Sequence, residues 1–117
     1  MPNLSDIEDT MISELKISRE EAKIYLLLLN KGKMRIGKIG YKTSLDALLL
    51  EKTITGLIDK GACIEIGGEY EALNPRFAIT NMYKMMCYAN NKELKRNKIV
   101  DLMATILEKS YEDARTK

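Results

Sequence analysis

The longest apolar run of the chain lies between Ile24 and Leu29, and the polar residues around it fix what it must be. Ser18 with Glu21 three residues later makes a reciprocal capping box, so a helix starts there. Ala22, Ile24, Tyr25, Leu27, Leu28 and Leu29 then leave no polar face, which predicts a helix at the centre of the core. Asn30, Lys31 and Gly32 end it, glycine being free to adopt a positive φ after a helix. Upstream, Ser5 with Glu8 repeats the capping pattern, and Ile7, Met11, Ile12 and Leu15 recur at helical spacing. A short first helix follows from that.

Downstream the pattern shortens. Met34, Ile36 and Ile39 predict a short strand running into a short helix, although Gly37 and Gly40 each cost a helix about 1 kcal/mol relative to alanine. Lys42, Thr43 and Ser44 form a turn, and Asp46 caps a helix running from Ala47 towards Lys60, with Leu50, Ile54, Leu57 and Ile58 on one face. Gly61 stops it. Residues 62–66 alternate in polarity, Gly67 and Gly68 supply a two-residue turn, and residues 69–73 return, which is a hairpin signature. Asn74 and Pro75 open the last segment, proline suiting the first turn of a helix.

From Arg76 to Lys117 there is neither proline nor glycine. Apolar positions gather from Phe77 to Met86 and again from Ile99 to Tyr111, with a polar stretch from Asn90 to Lys98 between them. One long helix or two helices joined near Asn90 and Asn91 both fit this spacing; we favour one. The fold class is therefore mainly α with a small β-hairpin: a winged helix-turn-helix over residues 1–75, plus a long C-terminal helix over residues 76–117 suited to dimerisation.

Composition narrows the chemistry. The chain of 117 residues carries a net charge of +2, unevenly spread. Residues 1–30 hold six acids and three bases, residues 31–60 three acids and seven bases, residues 61–80 three acids and one base, and residues 81–117 five acids and eight bases. Two basic blocks point to a polyanion. There is no histidine, the commonest general base and zinc ligand. Cys63 and Cys87 are isolated and read as small buried hydrophobes in a reducing compartment. No nucleophile–base arrangement, phosphate-cradling loop or metal cluster stands out, and Gly37-Lys-Ile-Gly40 is far from a P-loop. We expect no catalysis, no cofactor, no metal and no small-molecule effector. The acidic N-terminus lacks the apolar stretch of a secretory signal, and no run approaches the roughly 20 residues of a membrane span. A cytoplasmic protein without membrane contact is expected.

Four stretches carry a likeness: Ser18-Arg-Glu-Glu-Ala-Lys-Ile-Tyr and its continuation to Gly32, Ile36-Gly-Lys-Ile-Gly40, Leu57-Ile-Asp-Lys-Gly61 and Tyr70-Glu-Ala-Leu-Asn-Pro75. Together they resemble the DNA-binding domain of the TrmB-like family of transcriptional regulators, found mainly in archaea, over roughly residues 10–87. The resemblance implies a winged helix-turn-helix that exits into a dimerising helix. Larger members of that family carry a sugar-binding effector domain that this chain ends too early to include, so no sugar sensing is implied. Gly40 stands where the family usually has alanine, and Asp46-Ala-Leu-Leu-Leu-Glu51 replaces the small hydroxylic and basic residues usual at the start of the recognition helix.

Double-stranded DNA is the expected partner. Arg35, Lys38, Lys42, Thr43 and Ser44 surround the short helix and turn, where cations and hydroxyls grip phosphates. On the recognition helix Lys52 and Thr53 are the polar candidates, while Leu48 and Leu49 can contribute little beyond contact with a thymine methyl. The hairpin tip is flanked by Glu65, Glu69 and Glu71, so any contact from it must come through backbone amides. For the C-terminal segment Met82, Met86, Ile99, Leu102, Met103, Ile106 and Leu107 are the candidate homodimer seam, with Met82, Met85 and Met86 equally able to cover the open side of the winged domain. A competing reading turns the Leu48 and Leu49 surface toward another protein, making the chain an interaction module that does not bind specific DNA sequences.

Overall fold

The helix without a polar face becomes the axis of the molecule. The computed structural model describes residues 4–115, with side chains from Asp6 onward. Among these the chain runs α1 (Leu4–Leu15), α2 (Arg19–Lys31), β1 (Met34–Arg35), α3 (Ile36–Thr43), α4 (Ala47–Asp59), β2 (Cys63–Ile66), β3 (Glu69–Ala72), α5 (Pro75–Ala89) and α6 (Lys98–Arg115). The fold is mainly helical with one small antiparallel sheet in the order β1-β3-β2. Ala22, Ile24, Tyr25, Leu28 and Leu29 of α2 are completely buried, because α1, α4, β3 and α6 all pack around them. Each of these isoleucine and leucine side chains contributes about 1.5–3 kcal/mol by leaving water. No helix among the described residues is long and apolar enough to cross a membrane.

The capping box read from the sequence is formed: Glu21 N donates to Ser18 Oγ at 3.0 Å and Ser18 N donates to Glu21 Oε1 at 2.9 Å. Its second oxygen does more. Lys60, at the end of α4, donates to Glu21 Oε2 at 2.5 Å, and Gly56 lies so close that a Cβ there would sit 2.8 Å from the same oxygen. The carboxylate is buried with both oxygens bonded, which meets the cost of desolvating it and clamps α2 to α4. The other proposed box, at Ser5 and Glu8, rests on a side chain outside the described residues; α1 itself runs from Leu4.

The hairpin follows the alternation, with Cys63 opposite Ala72 and Ile66 opposite Glu69. Cys63 and Ala72 form its buried pair, and Cys63 and Cys87 are both free and buried. Gly67 and Gly68 take φ values of 60° and 85°, the positive pair a two-residue turn of this hand requires. Tyr25 closes the layer by donating its hydroxyl to the Leu73 carbonyl at 2.9 Å.

The expected long C-terminal helix is two helices. Asn91 adopts φ 53°, Asn91 N donates to Tyr88 O at 3.4 Å, and Lys92 N donates to Cys87 O at 2.8 Å. This is a Schellman motif with asparagine in the place glycine usually takes, since the short amide side chain tolerates the left-handed region. Asn97 then caps α6, its Oδ1 accepting from Ile99 N at 2.9 Å and Val100 N at 3.2 Å. The chain turns back, and α6 packs on α5, α2 and α1. At its far end Arg115 donates to the Leu29 carbonyl at 3.1 Å and covers the Tyr111 ring at 3.7 Å.

Candidate nucleic-acid interface

The region between β1 and β2 is built by local capping. Ser44 ends α3 in the left-handed conformation, with φ 60° and its N–H on Gly40 O at 2.8 Å. Asp46 then opens α4, its Oδ1 accepting from Leu49 N at 2.9 Å. Ile39 is buried beneath the crossing. A Cβ built on Gly40 would lie 3.1 Å from Leu50 Cδ2, so the bare glycine lets α3 and α4 approach.

Gly37 has no such reason to be glycine: it is exposed, and a Cβ there meets nothing within 4 Å. Gly37→Ala is therefore expected to stabilise the fold by about 0.5–1 kcal/mol, the helix-propensity difference. Gly40→Ala should gain less, because Leu50 must shift. Chemical denaturation of the two variants checks this; equal gains would contradict the close crossing.

Lys38 and Lys42 are exposed at i, i+4 on one side of α3, and Arg35, also exposed, ends β1 immediately before the helix. Ser44 is exposed beside them, and Thr43 is half-buried with its hydroxyl donating to Ile39 O at 2.8 Å. On α4, Leu48 is 80% exposed, Leu49 is partly exposed, and Lys52 points to solvent.

Thr53 does not face outward as expected. It is buried, with its hydroxyl donating to Leu49 O at 2.7 Å. The inner face of α4 is Leu50, Thr53, Ile54 and Leu57, and a threonine fits there because the preceding turn satisfies its hydroxyl. Ile58, assigned to that face from the sequence, sits at its edge and is partly exposed. Thr55 takes the outward role: it is exposed one turn beyond Lys52, and its offset from the buried positions is the signal that could have found it. Tyr41 was also missed. It is 84% exposed beside Lys42, on the side of α3 opposite Ile39.

The hairpin also differs from its sequence reading. β1 pairs with β3 so that Arg35 stands opposite Glu69, and a Cβ on Gly68 would lie 2.9 Å from Arg35 Nη1. A guanidinium thus lies at the glycine turn, giving the tip a cation of its own. Two of the carboxylates have partners, Glu69 with Lys33 and Glu71 with Arg115, each at 3.9 Å. Partial burial, with Glu65 and Glu51 nearby, raises the Tyr70 phenol above its ordinary range. The outer side of β3 is the acidic flank of this surface, and the α3 side is the basic one.

The expected dimer seam divides. Met82, Met86, Met103 and Leu107 are buried inside the chain itself, because α6 folds back instead of projecting without a core. Ile99 and Leu102 remain exposed and Ile106 is half-buried. No group of three or more Cys, Asp or Glu among the described residues is placed to hold a metal ion. Comparison with known proteins adds no relative: no family model matches the sequence, and no curated protein or solved structure matches at a significant level.

Proposed function

We propose that this chain is a DNA-binding transcriptional regulator of the winged helix-turn-helix kind, allied to the TrmB-like family. The observation that carries this reading is the exposed cluster of Lys38 and Lys42 on α3 with Arg35 at the end of β1, continued by Ser44 and leading into the outward face of α4. Lys38 and Lys42 grip phosphates, with hydroxyls of Tyr41 and Ser44 adding hydrogen bonds. α4 then enters the major groove, where Lys52 and Thr55 reach base edges and Leu48 meets a thymine methyl. Arg35 at the hairpin turn adds a phosphate or minor-groove contact. Regulation is by occupancy, the bound protein blocking or recruiting the transcription machinery.

Fluorescence anisotropy with a mixed-sequence duplex tests it. If three phosphates are neutralised, raising salt from about 50 to about 200 mM weakens binding about 40-fold. The triple variant Arg35→Glu, Lys38→Glu, Lys42→Glu should abolish binding at the lower salt. An unchanged curve removes the reading.

A second reading is an interaction module for another protein. It is favoured by the exposure of Leu48 and Tyr41, and separately by a cleft of about 300 Å³ lined by Ile36, Gly40, Leu45 and Leu50. Lack of duplex binding at low salt, with Leu48→Lys abolishing capture of a defined partner, would establish it instead.

A further inference from the structure

We propose that the cleft between α1, α2 and the end of α3 binds a small organic anion with an apolar body, and that its occupant opposes duplex binding. The cleft has a volume of about 370 Å³, within the range of small-molecule sites. Glu8 of α1 and Lys42 and Thr43 of α3 line two of its sides. The third is one face of α2, where Lys23, Leu26, Leu27, Asn30 and Lys31 follow the i, i+3, i+4, i+7, i+8 spacing. Leu26 is buried and Leu27 half-buried, so together they form an apolar floor. Lys23 and Lys31 stand at the two ends of that floor, about 12 Å apart along the helix axis.

Charge selects the occupant. Lys23, Lys31 and Lys42 are exposed, and none has an ion-pair partner among the described residues. Glu8, the carboxylate of the lining, is already taken: Arg19 donates to its Oε1 at 2.6 Å. Uncompensated positive charge around two leucines is complemented by a carboxylate, sulfonate or phosphate carried on an aliphatic or aromatic body. Asn30 Nδ2 donates to Leu26 O at 2.9 Å and Thr43 Oγ1 donates to Ile39 O at 2.8 Å, so each of these side chains offers a ligand an acceptor oxygen. An N–H or O–H donor on the ligand completes the match. The expectation of no small-molecule effector drew on contiguous motifs, whereas this lining is gathered from three helices. The regulatory half of the inference rests on the proposed DNA reading, in which Lys42 grips phosphate. An anion held in the cleft neutralises that lysine, so ligand and duplex weaken each other by the same factor.

The probe is 8-anilinonaphthalene-1-sulfonate, which has an anionic group, apolar rings and an N–H donor, and fluoresces on leaving water. Titrated into the full chain without DNA, it should occupy one site with a Kd of about 10–100 µM. Lys23→Gln and Lys31→Gln, at exposed positions and with the fold checked by circular dichroism, should each weaken it about fivefold and together about 20-fold. Lys98→Gln, on α6 and outside the cleft, should leave it unchanged. Inorganic sulfate in excess should not displace the dye, since it leaves the leucine floor uncovered. Saturating dye should weaken binding of a labelled duplex at least about fivefold. The Lys23→Gln, Lys31→Gln double variant should lose that effect, while its duplex affinity without dye stays within about twofold of the parent's at physiological salt. No dye binding, or binding indifferent to both lysines, overturns the site, and displacement by sulfate overturns the organic class of ligand. A duplex affinity that saturating dye leaves unchanged overturns the regulation alone. If no duplex binds, the DNA reading fails and the regulation with it, while the dye titration still decides the site.

Discussion

Gly61→Ala is expected to destabilise the fold by about 3 kcal/mol and to lower the thermal midpoint by about 12 °C. Gly61 sits just past α4 at φ 74°, where Gly61 N donates to Ile58 O and Ala62 N donates to Leu57 O, the paired bonds of a Schellman motif. An alanine in the left-handed region costs about 1–2 kcal/mol from its own sterics. The new methyl would also fall 2.7 Å from Asn81 Nδ2 and 3.0 Å from Asn81 Cβ. Asn81 donates to Gly61 O at 2.9 Å, so moving it aside breaks a part-buried hydrogen bond worth about 1 kcal/mol. Gly67→Ala separates the two effects: it has φ 60° but open space around it, so only the backbone cost, about 1 kcal/mol, should appear. Equal losses in the two variants would show that the contact with Asn81 contributes nothing.

The second large effect is alkaline. Burial pushes the Cys63 thiol up to about 12 from its ordinary 9.0, and burial holds the Tyr25 phenol well above its ordinary 10.0, with Cys63 and Tyr111 adding to it. Both groups keep their protons in the fold. Once the pH passes 9 the unfolded chain binds fewer protons than the folded one, so stability falls as pH rises. This contribution is complete below pH 9 and is lost progressively up to about 12; for Cys63 alone it amounts to about 4 kcal/mol. Denaturation midpoints measured across this window should fall steadily. Cys63→Ala should remove the part of the decline that begins near pH 9, and Tyr25→Phe the part that begins near 10. A flat profile in the parent protein would mean that these groups titrate in the folded state.

Elements whose signals are local were legible in the sequence. The Ser18–Glu21 box, the two-glycine hairpin and Pro75 each act within a few residues, and the structure keeps them, along with Leu50, Ile54 and Leu57 of the apolar face of α4. The C-terminal segment was harder, because its stops are asparagines. Asn91 and Asn97 act through side-chain amides and a tolerated left-handed backbone, neither of which registers as the absence of proline or glycine. Burial of Thr53 depended on a hydroxyl satisfied within its own helix, and the pattern of apolar residues does not count such a position as core. The guanidinium of Arg35 reaches the hairpin only because a two-residue strand pairs with β3, a register too short to announce itself. The exposed lysines of α3 were readable from charge and position; the aromatic hydroxyl of Tyr41 beside them was not.

The clamp formed by Glu21, Gly56 and Lys60 holds α4 from its inner side. Its inner residues and its last turn fix the helix to α2, while Leu48, Glu51, Lys52 and Thr55 take no part in that attachment. A surface mounted in this way tolerates exchange of its outward side chains without re-aiming the helix, which under the proposed function would let recognition change on an unchanged frame.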